Sequence, residues 1–159
     1  MRVGELKKGE YMKIIIGSDH RGFAYKQLIQ EQMRDIDLTP IEWIDVGAFD
    51  KERSDYPQFA IDVAQRIVQK QAQFGVLLCG SGVGMAIAAN RFPGIYAAIA
   101  WSEEAAIMGR EDDNTNVLVI PSDFVSGEQA VPILRAWLRA EFKKGRYQER
   151  LDMIDKIKI

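Results

Sequence analysis

The chain has 159 residues, of which 47% are hydrophobic and 28% charged, and its formal net charge is −2. This length and composition predict one globular domain with a buried core, and they exclude disordered and collagen-like chains. The balanced charge excludes a general attraction to nucleic acid or to an anionic membrane, so any bound anion must be held by a local site. The apolar runs are too short for a signal peptide or a membrane span, and we therefore expect a cytoplasmic protein.

The chain contains one cysteine, Cys79, and one histidine, His20. A lone cysteine cannot form an intrachain disulfide, which suits a reducing compartment. A zinc site would have to combine these two side chains with carboxylates, and no close-spaced pair of ligands is present. We therefore expect neither a metal nor another cofactor.

Short apolar runs alternate with segments of helical periodicity along the chain. Residues 1–11 precede the first run, and we expect them to form an N-terminal extension to a single domain over residues 12–159. The predicted strands are residues 12–17, 41–46, 74–79, 95–101 and 117–120. The predicted helices are residues 20–33, 57–70, 85–90 and 128–142, together with one that follows the N-cap Ser102. This alternation is typical of a doubly wound, Rossmann-like α/β fold in three layers with a five-stranded parallel sheet.

Ligands of a doubly wound sheet bind beyond the carboxyl ends of its strands. This rule marks four loops, at residues 17–21, 47–56, 79–84 and 112–116. The third loop reads Cys-Gly-Ser-Gly-Val-Gly and joins a predicted strand to a predicted helix. Its glycines allow a tight turn that brings N–H groups close to an anion. The spacing differs from the dinucleotide fingerprint G-x-G-x-x-G, which disfavours a nucleotide site and leaves a purely structural turn as the simpler alternative.

Cys79 is the last residue of the strand that enters this turn. Neighbouring backbone amides and a helix N-terminus are expected to stabilise its thiolate. A thiolate could remove a proton from a carbon next to a carbonyl, and the same amides could hold the enediolate that forms. The alternative is that Cys79 is a small buried hydrophobic residue.

Other candidate ligand contacts lie outside this turn. Asp19 and His20 follow the first strand, where the carboxylate could accept from a sugar hydroxyl and the imidazole could donate to a phosphate or hydroxyl. Tyr56 is a possible contact beside a helix cap. Arg146 and Arg150, in the basic C-terminal segment, are spaced to share one helical face and could hold a phosphate with two guanidinium forks. For each of these, a helix cap or a solvated surface is the alternative.

Together these features resemble the ribose-5-phosphate isomerase B family, which also includes galactose-6-phosphate isomerase subunits. The matching segments follow the family's order across almost the whole chain from Met12. They are IIIGSDHRGF at 14–23, SDYPQFA at 54–60, LLCGSGVGMAIAANRFPGI at 77–95, NTNVL at 114–118 and KGRYQER at 144–150. The Cys-Gly-Ser-Gly-Val-Gly stretch is far more specific than a lone glycine pattern.

The resemblance implies an aldose–ketose isomerase of the pentose phosphate pathway that interconverts ribose 5-phosphate and ribulose 5-phosphate without a cofactor. Cys79 matches the family's proton acceptor, which moves a proton between C1 and C2 through an enediol. In the family, the amides of one loop face the developing oxyanion. The residues of this chain that match that loop are Gly80, Ser81, Gly82, Val83 and Gly84.

The same resemblance implies further roles. Asp19 and His20 match substrate contacts, and Arg146 and Arg150 match the phosphate-binding arginines. Family members are dimers or tetramers whose sites lie between subunits, so some of these groups are expected to act across a subunit interface. The expected partners are therefore a small phosphorylated sugar and further copies of this chain.

Two positions depart from the family pattern. Asp112, followed by the candidate contact Asp113, stands where ribose-5-phosphate isomerases usually have a histidine that helps to open the sugar ring. We expect Asp112 to take a catalytic role as a base on the anomeric hydroxyl, and the alternative is a loop or cap residue. Asp123 stands where relatives place an arginine near the phosphate, which removes a cation and adds an anion. These changes leave two alternatives open: an isomerase of galactose 6-phosphate or allose 6-phosphate, and a homologue that binds sugar phosphates without catalysis.

Overall fold

A computed structural model describes residues 10–157; residues 1–9, which make up most of the predicted extension, and residues 158–159 lie outside the described part. Long apolar runs form the centre of the sheet as β1 (Met12–Ser18), β4 (Phe74–Cys79) and β6 (Val117–Pro121). These strands are continuous apolar runs because helices cover them on both faces. Two further strands run parallel to them, β3 (Thr39–Asp45) and β5 (Ala97–Ile99).

Within residues 10–157 the sheet contains six strands, one more than predicted. The additional strand, β2 (Asp35–Ile36), pairs antiparallel with β3 at one edge. The order across the sheet is β2-β3-β1-β4-β6-β5, which confirms the doubly wound parallel arrangement for the other strands. Asp37 and Leu38 join β2 to β3 with positive φ angles of 49° and 70°. Two such residues reverse the chain tightly, and neither is the glycine or asparagine that usually signals such a turn.

Helices cover both faces of the sheet and confirm the three-layer architecture. One face is covered by α1 (Phe23–Gln32), α4 (Glu103–Asp113) and α5 (Gly127–Arg139). The other face is covered by α2 (Tyr56–Val68) and α3 (Val83–Ala89). The basic C-terminal segment forms α6 (Arg146–Asp155), which packs on α4. Within residues 10–157, no helix combines the length and the hydropathy that crossing a membrane requires.

Side-chain hydrogen bonds set where two of the helices begin. Ser102 Oγ accepts from the amide of the third residue of α4, which confirms the predicted N-cap. Helix α1 begins at Phe23 rather than at residue 20. The reason is that Asp19 Oδ1 accepts from the amides of Arg21 (2.9 Å) and Gly22 (3.1 Å), which holds the intervening residues in a turn.

The parallel strands give the sheet two distinct ends, an amino edge where they start and a carboxyl edge where they finish. Asn116 lies at the amino edge, because its amide donates to Tyr96 O (3.0 Å) and its carbonyl accepts from Gly75 N (2.9 Å). The expectation that residues 112–116 lie at the carboxyl edge is therefore wrong. Helix α4 starts beyond the end of β5 and returns to the start of β6. At about 3.3 Å per residue, the length of β4 separates the two edges by roughly 17 Å.

Candidate active site

Cys79 lies at the carboxyl edge, at the centre of the first of two clusters of candidate residues. Its side chain is 5% exposed, and the Gly82 amide donates to its sulfur at 3.2 Å. Gly82 has a φ of 79°, a conformation that L side chains rarely adopt. A glycine at this position therefore lets the turn bend back so that its amide points at the Cys79 sulfur.

Burial raises the pKa of the Cys79 thiol. The amides of Gly82 and Met85 and the guanidinium of Arg21 lower it, while the carboxylate of Asp19 adds to the rise. Within a single chain the net shift of the Cys79 pKa is therefore upward, and the expectation that its surroundings stabilise the thiolate is wrong. The amides stabilise the thiolate as expected, but the free energy lost by excluding water from the charged sulfur is larger than the stabilisation that they provide.

Asp19 and His20 are held beside this turn by backbone contacts. Asp19 is buried, and its amide donates to Leu78 O (3.1 Å) on the neighbouring strand. His20 Nδ1 accepts from the Ser54 amide (3.2 Å), and Ser54 Oγ accepts from the His20 amide (3.1 Å). Because Nδ1 is an acceptor, the proton of the neutral imidazole is on Nε2, which makes Nε2 the donor that a ligand would meet.

A buried lysine that sequence reasoning missed supports the same region. Lys26 is 1% exposed, and its ammonium donates to Asp45 Oδ1 (2.6 Å) and Ala48 O (2.5 Å). Ala48 N in turn donates to Ser18 O (2.7 Å), directly before Asp19. Lys26 falls within the helix predicted over residues 20–33, and only the packing of the loop against α1 reveals its role.

Tyr56 covers the far end of the glycine turn. A Cβ placed on Gly84 would lie 2.3 Å from Tyr56 Cζ and 2.7 Å from its hydroxyl oxygen. Tyr56 as a whole is exposed, with 40% of its surface accessible. The glycine therefore allows an aromatic side chain to contact the turn while one side of it still faces solvent.

Arg21 and Asp123 cover the beginning of the turn. Arg21 Nη2 donates to Asp123 Oδ2, although the two residues are 102 positions apart in the chain. A Cβ on Gly80 would lie 2.6 Å from Arg21 Cζ and 2.7 Å from Asp123 Oδ2, so both side chains lie directly on this glycine. The anion that the sequence adds at position 123 is thus paired with a cation that sequence reasoning did not single out.

The second cluster lies near the amino edge. Lys143 Nζ contacts Asp112 Oδ1 at 2.8 Å and Glu111 Oε2 at 2.9 Å. The hydrogen bonds that the Lys143 ammonium donates to these two carboxylates raise the pKa of Lys143. Asp113, the last residue of α4, is exposed. Asp112 therefore belongs to an ion-pair network on the surface of α4. This network lies near the amino edge of the sheet, whereas Cys79 lies at the carboxyl edge.

Arg146 and Arg150 lie on α6, next to this network. Their guanidinium carbons are 5.2 Å and 5.5 Å from the centre of the Tyr147 ring. Both arginines are exposed, and neither forms an ion pair with a residue in the described part of the chain. Two stacked, unpaired guanidinium groups form a surface that can accept a phosphate dianion.

The predicted site residues therefore separate into two groups. Those at the carboxyl edge are Asp19, His20, Tyr56, Cys79, Gly80, Ser81, Gly82, Val83 and Gly84. Those near the amino edge are Asp112, Asp113, Arg146 and Arg150. One chain does not bring the two groups together. Among residues 10–157, no three His, Cys, Asp or Glu side chains are grouped so that they could hold a metal ion.

The chain is similar in sequence and in structure to members of one known protein family. Residues 14–154 match the model of a family described as Ribose/Galactose Isomerase. The chain is 39% identical to ribose-5-phosphate isomerase B of Escherichia coli over 145 residues, which cover 91% of this chain and 95% of that protein. It superimposes on ribose-5-phosphate isomerase B of Clostridium thermocellum with a TM-score of 0.86 and 37% identity, covering 91% of this chain and 96% of the other. The Mycoplasma genitalium enzyme, solved with bound ribulose 5-phosphate, gives a TM-score of 0.84 and 36% identity, with coverages of 91% and 95%.

Proposed function

Because the chain belongs to the ribose/galactose isomerase family, we propose that it is an aldose–ketose isomerase that interconverts ribose 5-phosphate and ribulose 5-phosphate. The observation that carries the proposal is the turn after β4, in which an amide donates to the buried sulfur of Cys79. The activity for which the relatives are named supports the choice of sugar. The expected cytoplasmic location remains a prediction from the sequence.

The proposed reaction moves one proton between neighbouring carbons. The thiolate of Cys79 removes the proton from C2 of open-chain ribose 5-phosphate, and the electron pair moves through the new C1–C2 double bond onto O1. The resulting enediolate is stabilised by amides of the turn at residues 80–84. The thiol then returns its proton to C1 while the O2 hydroxyl loses a proton to become the ketone and O1 gains one. Since no electron leaves the sugar, the step needs no redox partner.

The remaining carboxyl-edge residues would orient the sugar. His20 Nε2 can donate to an oxygen of the substrate, because Nδ1 is already used by the Ser54 amide. Asp19 uses Oδ1 to hold its own turn and has a second oxygen with which to accept from a sugar hydroxyl. Tyr56 would pack against the bound sugar beside Gly84.

Phosphate binding is assigned to the amino-edge cluster, and this assignment requires a second chain. Arg146 and Arg150 have no carboxylate partner within the described residues, so they keep their charge available for a dianion. They are separated from Cys79 of the same chain by most of the length of the sheet. We therefore propose a homodimer or homotetramer in which one copy supplies the Cys79 cluster and its neighbour supplies Asp112, Arg146 and Arg150. Exposed Val83 and Ile87 on α3 support an apolar contact beside the turn.

A panel of sugar phosphates tests the activity. Ribose 5-phosphate, allose 6-phosphate and galactose 6-phosphate are compared by kcat/KM, and exchange of the C2 proton with deuterated solvent is followed by NMR. We expect turnover and exchange with ribose 5-phosphate, and loss of both in Cys79→Ala. Full activity in Cys79→Ala would show that another group is the base. Sugar binding without exchange at C2 would show a non-catalytic homologue.

Complementation between two inactive variants tests the shared site. Cys79→Ala and Arg146→Ala are unfolded together and refolded as a mixture, and each is refolded alone as a control. In a two-fold symmetric dimer with sites across the interface, half of the dimers are mixed and each mixed dimer has one intact site. The mixture should therefore recover about a quarter of the wild-type activity. Recovery no greater than that of the separate controls would place the complete site within one chain.

A hexose phosphate is the second candidate substrate, and Asp112 is the observation that favours it. An ion pair with Lys143 requires the carboxylate form of Asp112, which can accept a proton from the anomeric hydroxyl but cannot donate one. This differs from the group that usually opens the ring in the ribose 5-phosphate enzymes. A higher kcat/KM for allose 6-phosphate or galactose 6-phosphate in the panel would replace the ribose assignment.

A further inference from the structure

We propose that the ion pair of Arg21 and Asp123 binds a hydroxyl of the sugar and so helps to determine which sugar phosphate this chain accepts. The inference rests on the proposed function and adds to it a specificity-determining pair. It follows from where the pair lies, how it is held and which charges surround it.

The pair lies beside the atoms that are proposed to react. Its two side chains cover Gly80, the residue next to Cys79, so closely that a Cβ at this position would be 2.6 Å from Arg21 Cζ. The charge of Arg21 is near enough to the sulfur to lower the pKa of the Cys79 thiol, although burial keeps the net pKa raised. A sugar carbon in contact with the sulfur would therefore place its neighbouring hydroxyls within reach of the pair.

The pair is anchored at its base and open at its tip. The Arg21 amide donates to Asp19 Oδ1 (2.9 Å), and the Asp123 amide donates to Gly80 O (3.0 Å). The side chains remain 54% and 38% exposed. Exposed ion pairs contribute about 0–1 kcal/mol to stability, so stability alone gives little reason to hold these groups over a glycine. A preorganised pair does, however, lose less entropy when it binds a ligand.

The charges indicate which part of the substrate the pair binds. Within residues 10–157, Arg21 makes one side-chain hydrogen bond, and Asp123 Oδ1 accepts none. The pair is neutral as a unit and offers free N–H donors beside a free carboxylate acceptor. A hydroxyl both donates and accepts, so it fits this combination, whereas a phosphate dianion only accepts and would be repelled by Asp123. The phosphate is better matched by Arg146 and Arg150, neither of which forms an ion pair with a carboxylate among residues 10–157.

Removal of the pair should change sugar selectivity while leaving phosphate affinity intact. We expect Arg21→Met to lower kcat/KM for the preferred substrate of the three-sugar panel by at least about 10-fold, because a hydrogen bond to a charged group is lost. The preference over the other two sugars should shrink by a similar factor. Asp123→Asn, which keeps the shape but removes the charge, should act in the same direction with a smaller effect. The inhibition constant of inorganic phosphate should stay within about twofold of the wild-type value.

A matched control is provided by another exposed ion pair of the same kind. Arg139 pairs with Asp37, the two side chains are 51% and 46% exposed, and neither residue is a candidate site residue. Arg139→Met should leave both selectivity and phosphate inhibition unchanged. Thermal unfolding of each variant establishes that it is folded, and Asp123→Asn replaces Arg21→Met if the latter does not fold.

Three results would overturn the proposal. An unchanged sugar preference shows that the pair does not contact a discriminating hydroxyl. An inhibition constant for phosphate that rises in Arg21→Met as much as in Arg146→Gln shows that Arg21 binds phosphate instead. An equal loss for all sugars, with a shifted pH profile of kcat, shows that Arg21 acts through Cys79.

The same variants can be tested without turnover. Binding of each sugar phosphate to wild type and Arg21→Met is measured by calorimetry, and the expected loss of discrimination is the same as in the kinetic assay. A wild type that binds but does not isomerise the sugars would refute the proposed function and leave this comparison valid. A wild type that binds none of the three sugars would overturn both proposals.

Discussion

Replacing Lys26 by methionine should destabilise the fold and loosen the Asp19–His20 turn. The ammonium of Lys26 is fully enclosed and connects Asp45 Oδ1 (2.6 Å) with Ala48 O (2.5 Å). Methionine has a similar length and can occupy the space beside the Phe23 and Phe49 rings, whose centres are 5.6 Å and 5.1 Å from the ammonium. The change therefore removes the charge and the hydrogen bonds while it leaves little empty volume.

The size of the stability loss follows from the charge of Asp45, which is left unpaired. Removing one partner of a buried ion pair costs about 3–5 kcal/mol, because the remaining charge is still desolvated. Asp45 is 26% exposed, so water can reach its carboxylate, and the lower end of about 3 kcal/mol is expected. For a urea slope of about 2 kcal/mol per M, this lowers the midpoint by roughly 1.5 M.

Urea unfolding at a fixed protein concentration measures the effect, since assembly would otherwise contribute to the apparent stability. Lys13→Met is the matched control, because Lys13 pairs with Glu42 at 3.6 Å on the surface and should change stability by no more than about 0.5 kcal/mol. Adding Asp45→Asn to Lys26→Met should recover about 1–2 kcal/mol by removing the unpaired charge. A Lys26→Met loss below about 1 kcal/mol, or no recovery in the double variant, would refute this account of the buried ammonium.

Three further changes test the candidate site. Because burial raises the pKa of Cys79, kcat/KM should increase with pH up to and above the ordinary thiol value of about 8.5, which the pH profile of the wild type checks. The free energy of unfolding should decrease over the same rise, because the unfolded chain loses the proton first, and unfolding of wild type and Cys79→Ala at each pH checks this effect. Gly84→Ala should cost about 1–2 kcal/mol in thermal unfolding because its Cβ would lie 2.3 Å from Tyr56 Cζ, and adding Tyr56→Ala should recover part of that loss. Arg146→Gln combined with Arg150→Gln should raise the inhibition constant of inorganic phosphate at least about 10-fold while stability changes by less than about 0.5 kcal/mol.

Local signals in the sequence were sufficient for much of this fold. The apolar run of β4 and the glycines that follow it predict the strand and the turn with no information from elsewhere in the chain, although α3 begins at Val83, two residues before the predicted start. Ser102 is an N-cap for a similarly local reason, because its hydroxyl bonds to an amide three residues away. The parallel direction of the other five strands also follows, since a helix separates each of them from the next parallel strand.

Features that depend on distant contacts could not be predicted in this way. The Arg21–Asp123 pair joins residues 102 positions apart, and each is an ordinary charged residue in its own segment. The sign of the Cys79 pKa shift depends on how fully the surrounding chain excludes water. Strand β2 depends on a turn at Asp37 and Leu38 whose residue types do not signal positive φ angles. The edge at which residues 112–116 lie depends on the direction in which α4 crosses the sheet.

The ion pair of Asp112 with Lys143 affects how a histidine at position 112 would act. Lys143 now lies between two carboxylates, and the pKa of Arg146 is raised chiefly by its hydrogen bond to Tyr147 and further by the charge of Asp112. Replacing Asp112 by a neutral histidine would remove one carboxylate and make the proposed phosphate-binding surface more positive. A gain of activity in Asp112→His could therefore come from tighter phosphate binding as well as from ring opening.

Asp112→Asn separates these two effects, because it removes the same charge without adding a group that titrates near neutral pH. If charge alone matters, both variants should lower the inhibition constant of inorganic phosphate and the KM to the same extent, with similar kcat. If the imidazole opens the ring, only Asp112→His should raise kcat, and its advantage should be lost below about pH 6.5 as the histidine becomes protonated. Equal kcat values at every pH would mean that ring opening in this chain does not depend on the side chain at position 112.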